Sequence, residues 1–476
     1  MQLRVQTMSD RLNLTPKIPT ETLSRTLETP EQTPSLMPAY FLALGTSAIG
    51  TEGFMIAPLL PTIAADLGMS LSATAMLVVV FTITLAISSP ITTVITGRLN
   101  RRDTLLVAMT IFAVGNFVAA FSATFSTLLI ARLLMAVAAG LYVPSANALA
   151  GAIAGPNRRG RALAIVSGGM TIAIALGLPL GALVGHAFGW RATFLAVAVT
   201  GLVAIVGIIV GIIRTAGEGM SVASLAERMG VIRQAPILKL LAITLFWSIG
   251  AYTAYPYIAP DLTTVLGFGA SGIGATVSMW GFAAAIGVTT GGALNDRFGS
   301  GRVVTASLIL LGCSFAVLAT VTVLDSAAAQ TPALMAIGVW GFSVWSVFPA
   351  QMARLIAASP PSQASVSLSL NTSTMYLGFS IGSALGAGII GLDAVWAIGI
   401  AAAVAEAISL ALNAFSRGNS TGIEGIISQI PKHQPFACRP DNSVVGPIAV
   451  SLATSCIEGC ELIVTKFDAC RSDIFF

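Results

Sequence analysis

Two charges stand where charges are least welcome. Glu52, in GTEGFMIAPLLP, is the only acid of the apolar run 38–63, and Arg132, in TLLIARLLMAVAAGLYVPSA, lies inside the run 127–153. A charge deep in an apolar span is costly and normally faces a cavity or a partner, so the two are expected to pair. A buried carboxylate beside an arginine is suited to taking up and releasing a proton. The alternatives are a protonated packing residue for Glu52 and a side chain snorkelling to the nearby surface for Arg132. Charge is otherwise concentrated in two loops, TGRLNRRDTLL (96–106) and GALNDRFGSGRVV (292–304). The two histidines build no nucleophile and base set with a serine and an acid, and no metal cluster is apparent. The reading is therefore not an enzyme, with no metal and no cofactor.

The elements that must position these residues follow from composition. Charged residues are 9% of the chain and hydrophobic residues 55%, against roughly 25% charged in a soluble domain. The apolar runs lack the period-2 alternation of a transmembrane barrel, so helices are the structures that satisfy their backbones in lipid. Twelve runs are read: 38–63, 74–96, 104–123, 127–153, 162–187, 192–214, 236–260, 271–293, 303–325, 332–357, 365–391 and 394–415. The fold class is an all-α polytopic membrane protein.

Arginines alternate between loops. Arg98, Arg101 and Arg102 follow helix 2, Arg158, Arg159 and Arg161 follow helix 4, and Arg297 and Arg302 follow helix 8. The opposite loops carry single acids, Asp66, Asp261, Asp325 and Asp393, with Arg191 as the exception. The positive-inside rule places both termini in the cytoplasm, and a bacterial inner membrane is expected. Residues 1–37 lack the pattern of a signal peptide. The net charge of +4 is this topological signal and calls for no nucleic acid.

The chain also repeats itself. GLYVPSANALAGAIAGPNRRGRALAIVSGGM (140–170) aligns with WSVFPAQMARLIAASPPSQASVSLSLNTSTM (345–375) at a constant offset of 205, which pairs Pro144 with Pro349, Pro156 with Pro361 and Met170 with Met375. The domains are then a cytoplasmic segment 1–37, a six-helix half 38–214, a linker 215–235, a second half 236–416 and a cytoplasmic tail 417–476. Two halves of like orientation imply a transporter that rocks about a site between them.

GALNDRFGSGR resembles the loop signature of the major facilitator superfamily, carried here by Gly292, Leu294, Asp296, Arg297, Gly299 and Arg302. The N-terminal copy is shorter: after Gly97 and Leu99 the aspartate position holds Arg101, followed by Arg102 and Asp103. That abbreviated form resembles the twelve-helix drug and metabolite efflux branch related to arabinose and chloramphenicol exporters. Arginines where helices 2 and 8 end would complement the negative pole of each helix, and the neighbouring acid would latch to a helix N-terminus of the other half. In helix 5, Gly177, Pro179, Gly181 and Gly185 resemble the superfamily's antiporter motif: proline kinks the rod and the glycines make a face for close packing. Helix 11 repeats Gly378, Gly382 and Gly386 without the proline.

The resemblance implies a central cavity lined by helices 1, 4, 7 and 10. Tyr142, Trp247, Tyr252, Tyr255, Trp340, Trp345, Asn371 and Tyr376 are the candidates, suited to an uncharged or cationic, partly apolar substrate. Glu406, in a helix that is peripheral in this superfamily, is expected to be structural or protonated, and His186 interfacial. GFGASG (267–272) matches a dinucleotide fingerprint but follows no strand. The tail holds Cys438, Cys456, Cys460 and Cys470, read as reduced thiols in a poorly ordered extension or an altered reading frame. The function expected is export of a small organic compound by proton antiport with alternating access, by a monomer whose partners are substrate, protons and lipid. The alternatives are an uptake carrier and a non-transporting receptor.

Overall fold

The protein is described by a computed structural model over residues 36–155, 158–216, 224–360 and 363–428, with side chains described as far as 416 except at positions 98 and 225. Among the described residues, twelve helices are long and apolar enough to cross a membrane: α1 (Met37–Asp66), α2 (Leu71–Ile95), α3 (Arg101–Ala120), α4 (Phe125–Ile153), α5 (Arg159–Phe188), α6 (Trp190–Gly211), α7 (Ala235–Leu266), α8 (Ala270–Phe298), α9 (Ser300–Val321), α10 (Ser326–Ala358), α11 (Ala364–Gly391) and α12 (Ala397–Ser416). No strand occurs among the described residues. An all-α polytopic membrane fold is what the composition requires.

Helix ends follow capping chemistry rather than hydropathy alone. Asp325 accepts from the amide of Ala328 (2.9 Å), which starts α10 at Ser326 and ahead of the apolar run that begins at 332. Asn100 accepts from Arg102 N (2.9 Å) and so opens α3. The α5–α6 and α8–α9 corners turn on Gly189 (φ 87) and Gly299 (φ 82), a region that glycine enters without steric cost. Ahead of Pro179 in α5, Ala173–Gly177 form a π-helical turn, a local widening next to the bond that the proline cannot make. α7 is likewise interrupted by a tight turn at Tyr255–Tyr257.

Within the first half α1 packs on α5 and α6, α3 on α4 and α6, and α2 on α4; within the second α7 packs on α11, and α8 and α9 on α10. The halves meet along α2–α11 and α5–α8. Exposed Leu195, Val199, Leu202, Val206 and Val210 stripe the outside of α6, a surface that lipid would cover. The polar linker contains a helix, Leu225–Ile232, opened by reciprocal bonds between Ser224 and Glu227. Arg228 donates to Ser369 Oγ (2.9 Å) and Gln234 to Gln363 Oε1 (2.7 Å), tying the linker to the start of α11.

The chain divides after Gly418 into two units. In the second, only the helical backbone of 419–428 is described. The expectations for residues 1–35, Pro156, Pro361, part of the linker and the cysteines of the tail fall outside the described residues.

Candidate functional site

α1, α2 and α4 bring the two isolated charges together. Arg132 forms an ion pair with Glu52, and both side chains are wholly buried. Arg132 Nε also donates to Leu77 O (3.3 Å), and its guanidinium lies 4.1 Å from the centroid of the Phe81 ring, a favourable placement over a π face. Arg132 therefore turns inward rather than snorkelling. Glu52 Oε2 and Arg132 Nη2 are left without partners among the described residues. Unmet polar groups at such depth are costly, so this pair is poised to accept a further bond.

Two residues along α1, Phe54 reaches the other half. Its carbonyl accepts from Tyr255 OH (2.9 Å), and its ring stands edge-on to Tyr255 and Trp345, with centroids 5.9 and 5.7 Å apart. These rings, with Trp247, Tyr252, Trp280, Trp340 and Phe379, wall a small aromatic cavity of the second half that Phe54 closes from the first. Tyr252 stacks on Phe379 at 3.6 Å. The indole N–H groups of Trp247, Trp280 and Trp340 have no partner among the described residues. Five of the expected cavity residues, Trp247, Tyr252, Tyr255, Trp340 and Trp345, line this space. Tyr376 stands edge-on to Phe379 (5.5 Å) just beside it. Asn371 accepts from Thr244 Oγ1 (2.7 Å) and Tyr142 donates to Leu42 O (3.1 Å) while filling the notch at Gly45; neither lies on the cavity wall. Phe54, Trp280 and Phe379 were not expected from the sequence, because a phenylalanine in an apolar helix carries no signal that separates lining from packing.

The two charged loops are built differently from the simple dipole picture. Arg101 and Arg102 stand in the first turn of α3, not at the end of α2. Arg102 donates instead to Ile209 O (2.8 Å), near the C-terminus of α6, and the Asn100 amide reaches Arg214 O. The orphan carbonyls of a helix end are thus met by a neighbouring loop, within one half. Asp103 is exposed at the start of α3. In the second loop Arg297 does sit in the last turn of α8, 5.2 Å from the Phe298 centroid. Gly299 makes the corner, and Arg302 and Asp296 are exposed. Asp296 takes only a long bond from Asn295 (3.4 Å) among the described residues. Gly292 has open space around it, and Gly97 belongs to the short turn Thr96–Arg98. In this conformation neither acid latches onto the other half.

The glycines of α5 serve its own half. A Cβ on Gly177 would strike Thr51, one on Gly181 would lie 2.9 Å from Met55 Cβ, and one on Gly185 2.5 Å from Leu59 Cδ2. The ladder thus lays α5 against α1. Across the halves the close approach is made by Gly281 of α8, where a Cβ would meet Ile174 O at 2.6 Å. Other bonds between the halves are Ser72 Oγ to Ala387 O (2.8 Å) and Ser380 Oγ to Val79 O (3.2 Å). All of these lie at mid-depth or nearer the end that carries Asp66. That end is further tied within the first half by Arg191, which binds Asp66 (2.5 Å) and Ser122 O (2.9 Å), so the basic exception among the acidic loops has a local reason.

Known proteins agree with this architecture. The profile of the Major Facilitator Superfamily matches residues 42–383. The MFS-type transporter YbcL of Bacillus subtilis is 30% identical over 73% of this chain and 87% of its own length. The chloramphenicol resistance protein of Streptomyces lividans is 29% identical over 78% and 94%, and the inner membrane transport protein YdhP of Escherichia coli K12 is 26% identical over 74% and 88%. With twelve candidate spans among the described residues and this profile match, the chain belongs to the Major Facilitator Superfamily and is a multi-pass membrane transporter of small molecules.

Proposed function

We propose that the protein exports a small organic compound in exchange for protons, with Glu52 as the exchanging group and Arg132 as its counter-ion. The observation that carries this reading is the wholly buried Glu52–Arg132 pair on the helix that touches the opposite half two residues further on, at Phe54. Protonation of Glu52 removes the partner of Arg132. An unpaired buried charge is unfavourable, so the change at the pair favours rearrangement of α1 against α7. The aromatic cavity suits an uncharged or cationic, partly apolar substrate, and the three unpartnered indole N–H groups would meet acceptor atoms on it. The name of one relative, the chloramphenicol resistance protein of Streptomyces lividans, supports efflux.

With the arginine loops on the cytoplasmic side, the bonds between the halves lie toward the outer face and the unlatched Asp103 and Asp296 toward the inner one, which is an inward-facing arrangement. Both termini are then cytoplasmic, the membrane is a bacterial inner membrane and the working unit is a monomer. The domain limits follow the repeat: a segment 1–37, halves 38–214 and 236–416, a linker 215–235 and a tail 417–476. Each proton that enters down the membrane potential contributes about 2.3 kcal/mol per 100 mV, sufficient to drive uphill efflux.

Glu52→Gln tests the assignment. It keeps the volume of the side chain and imitates its neutral form, so proton-driven efflux from proteoliposomes should be lost while substrate counterflow persists. Proton-coupled efflux at the wild-type rate would refute the role of Glu52.

A further inference from the structure

Glu406 is the second acid buried in the spans. It lies on α12 at 1% exposure, between two glycines of neighbouring helices. A Cβ on Gly250 of α7 would fall 2.6 Å from Glu406 Oε1, and one on Gly312 of α9 3.7 Å from its Cβ. Neither carboxyl oxygen has a hydrogen-bond partner among the described residues.

Among the described residues, no charge faces it from the helices packed around it. On α7, Lys239 is exposed, Tyr252 stacks on Phe379, and Tyr255 and Tyr257 donate to Phe54 O and Ser383 O. On α9, Arg302 and Cys313 are exposed. On α12, Ser409 donates to Ile243 O (3.0 Å). Arg354 of α10 is engaged by Asn413 (2.7 Å) and Gln351 (3.3 Å). A carboxylate ion enclosed in this way, with neither counter-ion nor donor, becomes neutral instead.

A small cavity near the acidic-loop end of the second half is lined by Asp261, Phe315, Thr322, Trp340, Trp396 and Gly399. Asp261 makes no hydrogen bond or ion pair among the described residues. Ala254, also on the cavity wall, lies one helical turn from Gly250, and Gly399 two turns from Glu406, roughly 6 and 10 Å along their helices. The cavity that holds Asp261 thus shares α7 and α12 with Glu406 and ends one to two turns from it.

We infer that Glu406 is a proton-binding site of the C-terminal half, distinct from Glu52, and that the Asp261 cavity conducts its proton from the acidic-loop face. The inference goes beyond the antiport reading and does not rest on it, since a proton on Glu406 is a property of the fold whatever is carried.

The test is infrared spectroscopy of the purified full chain in lipid nanodiscs at neutral pH, on wild type, Glu406→Gln, Glu52→Gln and Asp261→Asn. The C=O band of a protonated carboxyl in apolar surroundings should be present in wild type and Glu52→Gln and absent in Glu406→Gln. Its shift on transfer to D₂O should be about a hundredfold slower in Asp261→Asn, the low end of what a positioned acid or base contributes. An unchanged band in Glu406→Gln overturns the site, and an unchanged exchange rate in Asp261→Asn overturns the route. Should Glu406→Gln fail to fold, the wild-type chain decides the first point: dicyclohexylcarbodiimide, which reacts with protonated carboxyls in apolar surroundings, should modify Glu406, and modification of Glu52 without Glu406 overturns the site. A loss of antiport in Glu52→Gln with the band intact separates this inference from the transport assignment.

Discussion

At the scale of single residues the account turns on Glu52 and Arg132. Taking away one member of a buried ion pair leaves an uncompensated charge, so Arg132→Ala should lower stability by about 3–5 kcal/mol. The double change Glu52→Leu with Arg132→Leu removes both charges and should cost less than Arg132→Ala alone. Thermal unfolding in detergent ranks the variants, and a double variant as unstable as Arg132→Ala would mean that the pair acts through its packing rather than its charge. These two residues were legible in the sequence because each is a lone charge in an apolar run. Phe54, Trp280 and Phe379 were not legible, since an aromatic ring in a hydrophobic helix carries no mark of whether it lines a cavity or fills a core. Nor was Arg102: its bond to Ile209 O joins positions far apart in the chain, and only the packing of α3 on α6 brings them together.

Helices impose their own tests. The ladder Gly177, Gly181 and Gly185 seats α5 on Thr51, Met55 and Leu59 of α1, so Gly181→Leu should reduce folded yield and thermal stability together. The contact across the halves at Gly281 and Ile174 is different in kind. Gly281→Val should push α8 from α5, loosen the outer seal and raise the accessibility of outer-half positions to membrane-impermeant thiol reagents, with folded yield retained. Unchanged accessibility would show that this contact does not hold the seal. The glycine and proline pattern foretold close packing and a kink; the structure shows a π-helical turn before Pro179. Which partner the glycines would meet was hidden, because spacing reveals a smooth face but not the helix laid against it. Asp296→Asn completes this scale. With Asp296 exposed and unlatched here, the substitution should slow turnover more than it weakens substrate binding, and an equal loss of both would favour a folding role for the loop.

Across the whole molecule, the twelve spans and the repeat were legible because lipid allows few solutions and the halves repeat at a fixed offset. The conformational state was not, since a sequence specifies every state of a rocking carrier and the contacts at Ser72–Ala387 and Tyr255–Phe54 belong to one of them. Removing residues 418–476 should leave transport intact at equal membrane abundance, as the paired halves close before that segment; loss of transport would give the tail a working part. The central claim is that an outward substrate flux is tied to an inward proton flux through Glu52. It is tested most directly by recording lumenal pH in proteoliposomes of known orientation, loaded with a proton gradient, as substrate is added on the cytoplasmic face of wild type and Glu52→Gln. The account predicts substrate-dependent proton flow opposite to substrate movement in wild type and none in Glu52→Gln. Proton flow in the same direction as substrate, or equal flow in both proteins, would contradict it.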